Sequence, residues 1–149
     1  MSEDRKLTAY CGLYCQDCIP INRSFFKVVK EFERSLSDLN FDKYAEVKSK
    51  VNEVFNEYPR FVGMLEEIKE LECQAPCREG GGNPDCKVRK CVKFKGYEGC
   101  WECGEFRSCN LLLPLKAAHG ETINHNLEMI KKHGPDSWSD KRGKHYNWS

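Results

Sequence analysis

Apolar residues return at helical intervals through most of the chain, and the exceptions mark where the character of the chain changes. Phe25, Val28, Val29, Phe32 and Leu36 recur at i, i+3, i+4, i+7 and i+11, one face of an amphipathic helix. Ser24 is the expected N-cap, and Ser37-Asp38-Leu39-Asn40 is the expected break. A second stripe of Tyr44, Val47, Val51, Val54 and Phe55 predicts another helix with Asp42 as its cap. Pro59 suits the first turn of a third helix carrying Phe61, Met64, Leu65, Ile68 and Leu71. The tract 21–72 therefore reads as a helical hairpin or three-helix unit.

The period is lost over residues 73–109. This segment holds Pro76, Pro84 and six glycines, three of them in the run Gly80-Gly81-Gly82. Turns and at most short β-hairpins are expected there. Gly80-Gly81-Gly82 lacks the following Lys-Ser/Thr of a phosphate loop and reads as a plain turn. The helical pattern returns with Leu111, Leu112 and Leu115, limited or kinked by Pro114 and ended by Gly120. A last helix spans Glu121 to His133, with Ile123, Leu127 and Ile130 inward and Gly134-Pro135 as its stop. The polar tail from Asp140 is expected to fray, with Trp138 docking on the body. The fold class is mainly α: several helices around an irregular cysteine-rich segment. The expected organisation is a single domain, 1–149, made of an N-terminal Cys motif (1–20), a helical tract (21–72), a Cys-rich segment (73–109) and C-terminal helices with a tail (110–149).

The unpatterned segment is also where the chemistry lies. Of ten cysteines in the 149 residues, three stand at Cys11, Cys15 and Cys18, spaced C-x3-C-x2-C. Seven more, Cys73, Cys77, Cys86, Cys91, Cys100, Cys103 and Cys109, fall in one stretch, and none lies between the groups. Thiols two to four residues apart turn inward onto one ion, and C-x2-C at Cys15/Cys18 and Cys100/Cys103 suits a tetrahedral metal. All ten are candidate metal ligands. Isolated buried thiols have no reason to cluster. Zinc, two or more ions, is the first reading, and an iron–sulfur cluster the alternative, since both use four-cysteine sets. The trio at Cys11, Cys15 and Cys18 needs a fourth ligand from elsewhere or leaves an open position.

Composition narrows the setting. Hydrophobic residues make up 40% and charged residues 32%, enough for a lean core that metal crosslinks would reinforce. The N-terminal MSEDRKLTAY has no apolar h-region, and no run approaches the ~18 apolar residues of a membrane span. A cytoplasmic, membrane-free protein is expected, and in a reducing cytosol the thiols are metal ligands or redox groups before they are disulfides. Residues 1–72 carry 11 Lys and Arg against 14 Asp and Glu, while 73–149 carry 13 against 9. Each divalent ion held by four thiolates leaves a net charge of about −2, so two such sites turn the formal +1 into about −3.

Lys87, Arg89, Lys90, Lys93 and Lys95 form a basic run near Phe94, Tyr97 and Trp101. Basic knuckles with stacking aromatics bind single-stranded RNA, which gives a second alternative. The competing and preferred reading is a solvated basic face offsetting thiolate charge, with Trp101 shielding sulfur. His119, His125, His133 and His145 read as surface histidines before ligands. No Ser-His-Asp set is present, and no catalytic residue is assigned. The expected role is a partner-binding module whose partner is protein, with RNA second.

C-x3-C-x2-C resembles the cluster motif of radical S-adenosylmethionine enzymes, but the chain lacks βα alternation and has Asp17 before the third cysteine. The broader resemblance is to the domain of unknown function 3795 family. It is carried by Cys11-Gly12-Leu13-Tyr14-Cys15-Gln16-Asp17-Cys18, by Cys73 and Cys77, and by Gly80-Gly81-Gly82 leading into Cys86-Lys87-Val88-Arg89-Lys90-Cys91. It continues through Gly99-Cys100, Cys103, Glu105-Phe106 and Cys109 to a late Gly134/Trp138 element. Ser108 stands where that family often has Pro. The resemblance implies a compact, mostly helical, cysteine-rich cytoplasmic protein and brings no established activity.

Overall fold

The structure is a computed structural model that describes residues 1–143, so His145 and the last part of the tail lie outside the described residues. The described chain is mainly α, with no strand and one isolated antiparallel bridge, Thr8 to Tyr14. Its contacts divide into two compact units: Asn22–Glu72, and Met1–Ile21 together with Cys73 onward.

The Asn22–Glu72 unit contains α2 (Arg23–Asp38), α3 (Phe41–Ser49) and α4 (Tyr58–Glu70), preceded in the chain by α1 (Glu3–Leu7) of the other unit. Asn22, not Ser24, caps α2: its side chain accepts from Phe25 N at 3.1 Å, and Ser24 Oγ donates to Asn22 Oδ1 at 2.8 Å. The break falls where expected, with Asn40 in the left-handed region at φ 49°. The second helix is shorter than its stripe: it ends at Ser49, and Val54 and Phe55 lie in a 3₁₀ turn opened by Asn52. Pro59 sits in the first turn of α4. Val29, Leu36 and Leu65 form the unit's small core, with Phe41 and Ile68 partly buried beside it. Lys69 ties α4 to α2 through Glu33 at 2.6 Å and also meets Glu66 at 3.0 Å. One layer of helices covers only one side of each stripe, so Val28 (62%), Phe32 (47%), Val47 (64%) and Met64 (60%) stay exposed.

The second unit carries α1, α5 (Lys87–Phe94), α6 (Leu113–His119) and α7 (Thr122–His133) among 3₁₀ turns. α5 is a departure from the expected turns and hairpins. It buries Val88 and Val92, one turn apart, and the Cys86 side chain accepts from Arg89 N at its start. Pro114 opens α6 instead of kinking it, since the first turn needs no proline N–H. α7 buries Ile123, Leu127 and Ile130 as its period predicts. Trp138 is fully buried, its Nε1 donating to Thr8 Oγ1 at 2.8 Å and its ring edge-on to Tyr14 at 5.6 Å. Arg142 lies over the Tyr14 ring at 4.6 Å and pairs with Asp17, so the described part of the tail is held.

Candidate metal centre

Every cysteine lies in the second unit, and all ten are free thiols. Two backbone hydrogen bonds gather the chain that carries them. Cys100 N donates to Tyr10 O at 2.8 Å, and Cys73 N donates to Pro20 O at 2.7 Å. The N-terminal motif is thereby joined to both ends of the cysteine-rich segment.

Four thiols form one group. Cys91 comes from α5, Cys100 and Cys103 flank a 3₁₀ turn, and Cys109 ends the next turn. All four line a single cavity of about 40 Å³ with Val88, Val92, Phe106, Leu111 and Leu112. Lys95 Nζ stands 3.9 Å from Cys103 Sγ at its edge. Both C-x2-C pairs fold alike: Cys103 N donates to Cys100 O at 3.0 Å, and Cys18 N to Cys15 O at 3.1 Å. The tight turn places both sulfurs of a pair on one side.

The other six thiols form a chain of neighbours that meets the first group where Cys11 interacts with Cys100. Cys11 interacts with Cys77 and Cys86, Cys15 with Cys77 and Cys73, and Cys18 with Cys15 and Cys73. The trio is therefore met by Cys73, Cys77 and Cys86. N–H donors point at sulfur in this group, among them Gly82 N to Cys73 at 3.1 Å, Arg89 Nη2 to Cys77 at 3.5 Å, Arg89 N to Cys86 at 3.5 Å, and the Cys77 N–H to Cys15. The glycine run wraps this group. A Cβ on Gly81 would fall 1.6 Å from Ala75 O, so the loop closes only with glycine there. Gly99 serves the neighbouring turn, where a Cβ would meet the Trp101 ring at 2.1 Å.

Electrostatics set the condition of these thiols. Burial pushes Cys11 and Cys100 up to about 12, with neighbouring thiols adding to it. Cys18 is pushed up to about 11 by burial and then by Cys15 and Cys73. Cys15 is raised by burial while the Cys77 N–H opposes the shift. In Cys11, Cys15, Cys18 and Cys100 burial favours the protonated thiol; a bound cation reverses that balance by favouring thiolate. Among the described residues, no group of three or more Cys, His, Asp or Glu side chains stands close enough together to hold a metal ion. The donor set nonetheless suits a thiophilic metal: soft sulfur, apolar walls and N–H groups aimed at sulfur.

The basic run is dispersed. Arg89 turns inward onto Gly81 O and Cys77, Lys90 pairs with Asp85 at 2.8 Å, and Lys93 lies over Tyr10 at 5.9 Å. Lys95 faces Cys103 and Tyr97, while Lys87 is exposed. Trp101 is buried, as the sulfur-shielding reading expects. His125 Nε2 lies 2.9 Å from Arg142 O, and burial lowers His119. Arg78 is a residue that sequence reasoning missed. It donates to Thr8 O at 2.7 Å and Glu98 O at 3.1 Å and lies over Tyr10 (4.8 Å) and Trp101 (5.4 Å). It links the N-terminal motif to the Cys100 turn, and its place beside Cys77 was the only local hint.

No helix among the described residues is long and apolar enough to cross a membrane. No curated protein and no solved structure matches the chain. A family model described as "Protein of unknown function (DUF3795)" matches residues 7–114, which span both thiol groups and the helical unit between them in sequence. With most of its length matched, the chain belongs to the DUF3795 family.

Proposed function

We propose that this protein is a thiolate metal-binding module in which zinc crosslinks the second unit and which acts by binding a partner, without catalysis. One observation carries this reading: Cys91, Cys100, Cys103 and Cys109, brought from a helix and two turns, line one small apolar cavity. Four thiols lining one apolar space, with Lys95 beside Cys103, are a soft donor set that a thiophilic metal would satisfy. Cys11, Cys15, Cys18, Cys73, Cys77 and Cys86 supply a second ligand group, in which the trio meets thiols enough to close a site. Arg89 and Lys95, each beside a sulfur, offset the charge that thiolate ligation introduces. A zinc held by four thiolates is redox-silent and serves as folding energy.

Elemental analysis and an absorption spectrum of anaerobically purified protein test this. Colourless protein with two or more zinc ions per chain is expected. A brown sample absorbing near ~400 nm overturns zinc in favour of iron–sulfur. RNA retention that falls steeply with salt and is lost in Lys87→Ala/Lys90→Ala would replace the protein partner by RNA.

A further inference from the structure

The Asn22–Glu72 unit holds no cysteine, yet it presents the larger apolar surface. Phe25 (40%), Val28 (62%) and Phe32 (47%) run along α2, and Phe61 (42%), Met64 (60%) and Leu71 (58%) along α4 and its end. Ring contacts join the two helices and lead back to half-buried Tyr58 and Phe41. The Phe32 and Phe61 rings lie 6.2 Å apart, Phe61 and Tyr58 6.1 Å, and Tyr58 and Phe41 5.3 Å. Against it the unit has a core cluster of Val29, Leu36 and Leu65, with Phe26 and Ala45 also buried. This is the composition of half a helical bundle, an apolar face wider than one layer of helices covers.

We infer that the α2/α4 face is an interface with a second copy of this chain, two hairpins closing into a four-helix bundle. Three observations select that occupant. The unit is near neutral, with nine Lys and Arg against eleven Asp and Glu, so nothing draws a strongly charged partner. The ion pairs near the face hold both signs, Lys27–Glu31 at 3.8 Å on α2 and Arg60–Glu57 at 3.1 Å at the start of α4. A face that carries both signs does not repel its own copy across a two-fold axis, as a face of one sign would. The size also suffices. A 16-residue helix is about 24 Å long, and two helices with side chains span about 20 Å, so a pair of such faces covers about 1,000 Å², the lower bound of a specific interface.

The inference names the partner for the module proposed above and stands on the cysteine-free unit, so mass and metal content are read separately on the same samples. Sedimentation velocity of the full chain from ~1 to ~100 μM is expected to give twice the 17.3 kDa chain mass. Phe32→Lys is expected to weaken the dimer at least about thirtyfold, as loss of an aromatic anchor does. Val28→Lys, at a position already exposed in the monomer, is expected to act likewise with helical circular dichroism and zinc content unchanged. A wild-type chain that stays at one-chain mass overturns the inference, including the case in which α2 and α4 amides are exchange-protected because another part of the chain covers them. Dimers that persist in both variants overturn it too. A dimer without zinc would sink only the metal reading, and a zinc-bearing monomer only this one.

Discussion

The two units solve the problem of a lean core in opposite ways. The cysteine-bearing unit buries Trp138, Trp101, Phe106, Leu112, Ile123, Leu127 and Ile130 in one cluster, fixed by Arg78 and by backbone bonds at Tyr10 and Pro20. Much of its chain is turn, which ordering alone leaves expensive, and ten thiols supply the crosslinks that could offset that cost. The Asn22–Glu72 unit has a 16-residue helix capped by Asn22 and a small core of Val29, Leu36 and Leu65, with Phe26 and Ala45 also buried. Its stability is local, and its surplus apolar surface is on show. Irregular structure goes with clustered thiols, and regular structure goes with unfinished packing.

The largest expected effect separates the units directly. Removing metal with a strong chelator should abolish the near-UV circular dichroism of buried Trp101 and Trp138 while a good part of the helical far-UV signal survives. An unchanged near-UV spectrum would show that the thiol unit holds itself without metal. Next comes Trp138→Ala, which removes a fully buried ring and the bond to Thr8. A loss of ~3–5 kcal/mol in denaturant unfolding is expected, against a change within ~0.5 kcal/mol for Val28→Lys in the monomer. Equal effects would erase the contrast between the units.

Such predictions rest on a fold that was partly legible. α2, α4 and α7 follow from their periods, because a 3.6-residue repeat needs nothing distant to declare itself. Which stripe is covered does not follow: Phe32 and Val29 belong to one pattern, and only the neighbouring helix decides that Val29 is the buried one. α5 escaped notice because its inward signal is two valines among Lys and Arg, and its cap is a cysteine, outside the usual capping residues. The clustering of the thiols was legible from their spacing. Their sorting into four and six was not, because it depends on the contacts of Cys100 with Tyr10 and Cys73 with Pro20 across long stretches of chain.

Smaller effects sharpen the same contrast within the cysteine-bearing unit. Gly81→Ala should destabilise by ~1–3 kcal/mol, through the clash with Ala75 O, and should loosen metal held near Cys73 and Cys77; thermal melts with and without chelator read both. Unchanged melts would contradict the tight closure of this loop. The smallest effect is electrostatic. Asp136 is held down to about 2 by hydrogen bonds from Arg5 and Ser2. A carboxyl depressed in the folded state contributes stability above its ordinary value near ~3.9, and that contribution is lost as pH falls through about 2. Asp136→Asn should therefore flatten the stability profile between those values, as followed by urea midpoints across that range. An unaltered profile would remove the pair from the account.

The central claim is that four thiols at one apolar cavity hold a metal, and native mass spectrometry of anaerobically prepared protein reads it most directly. Wild-type chain should carry two or more zinc ions, and Cys103→Ser should carry one fewer while keeping the remainder. A wild-type chain at its bare mass would contradict the account, and so would a Cys103→Ser chain with its full complement of zinc.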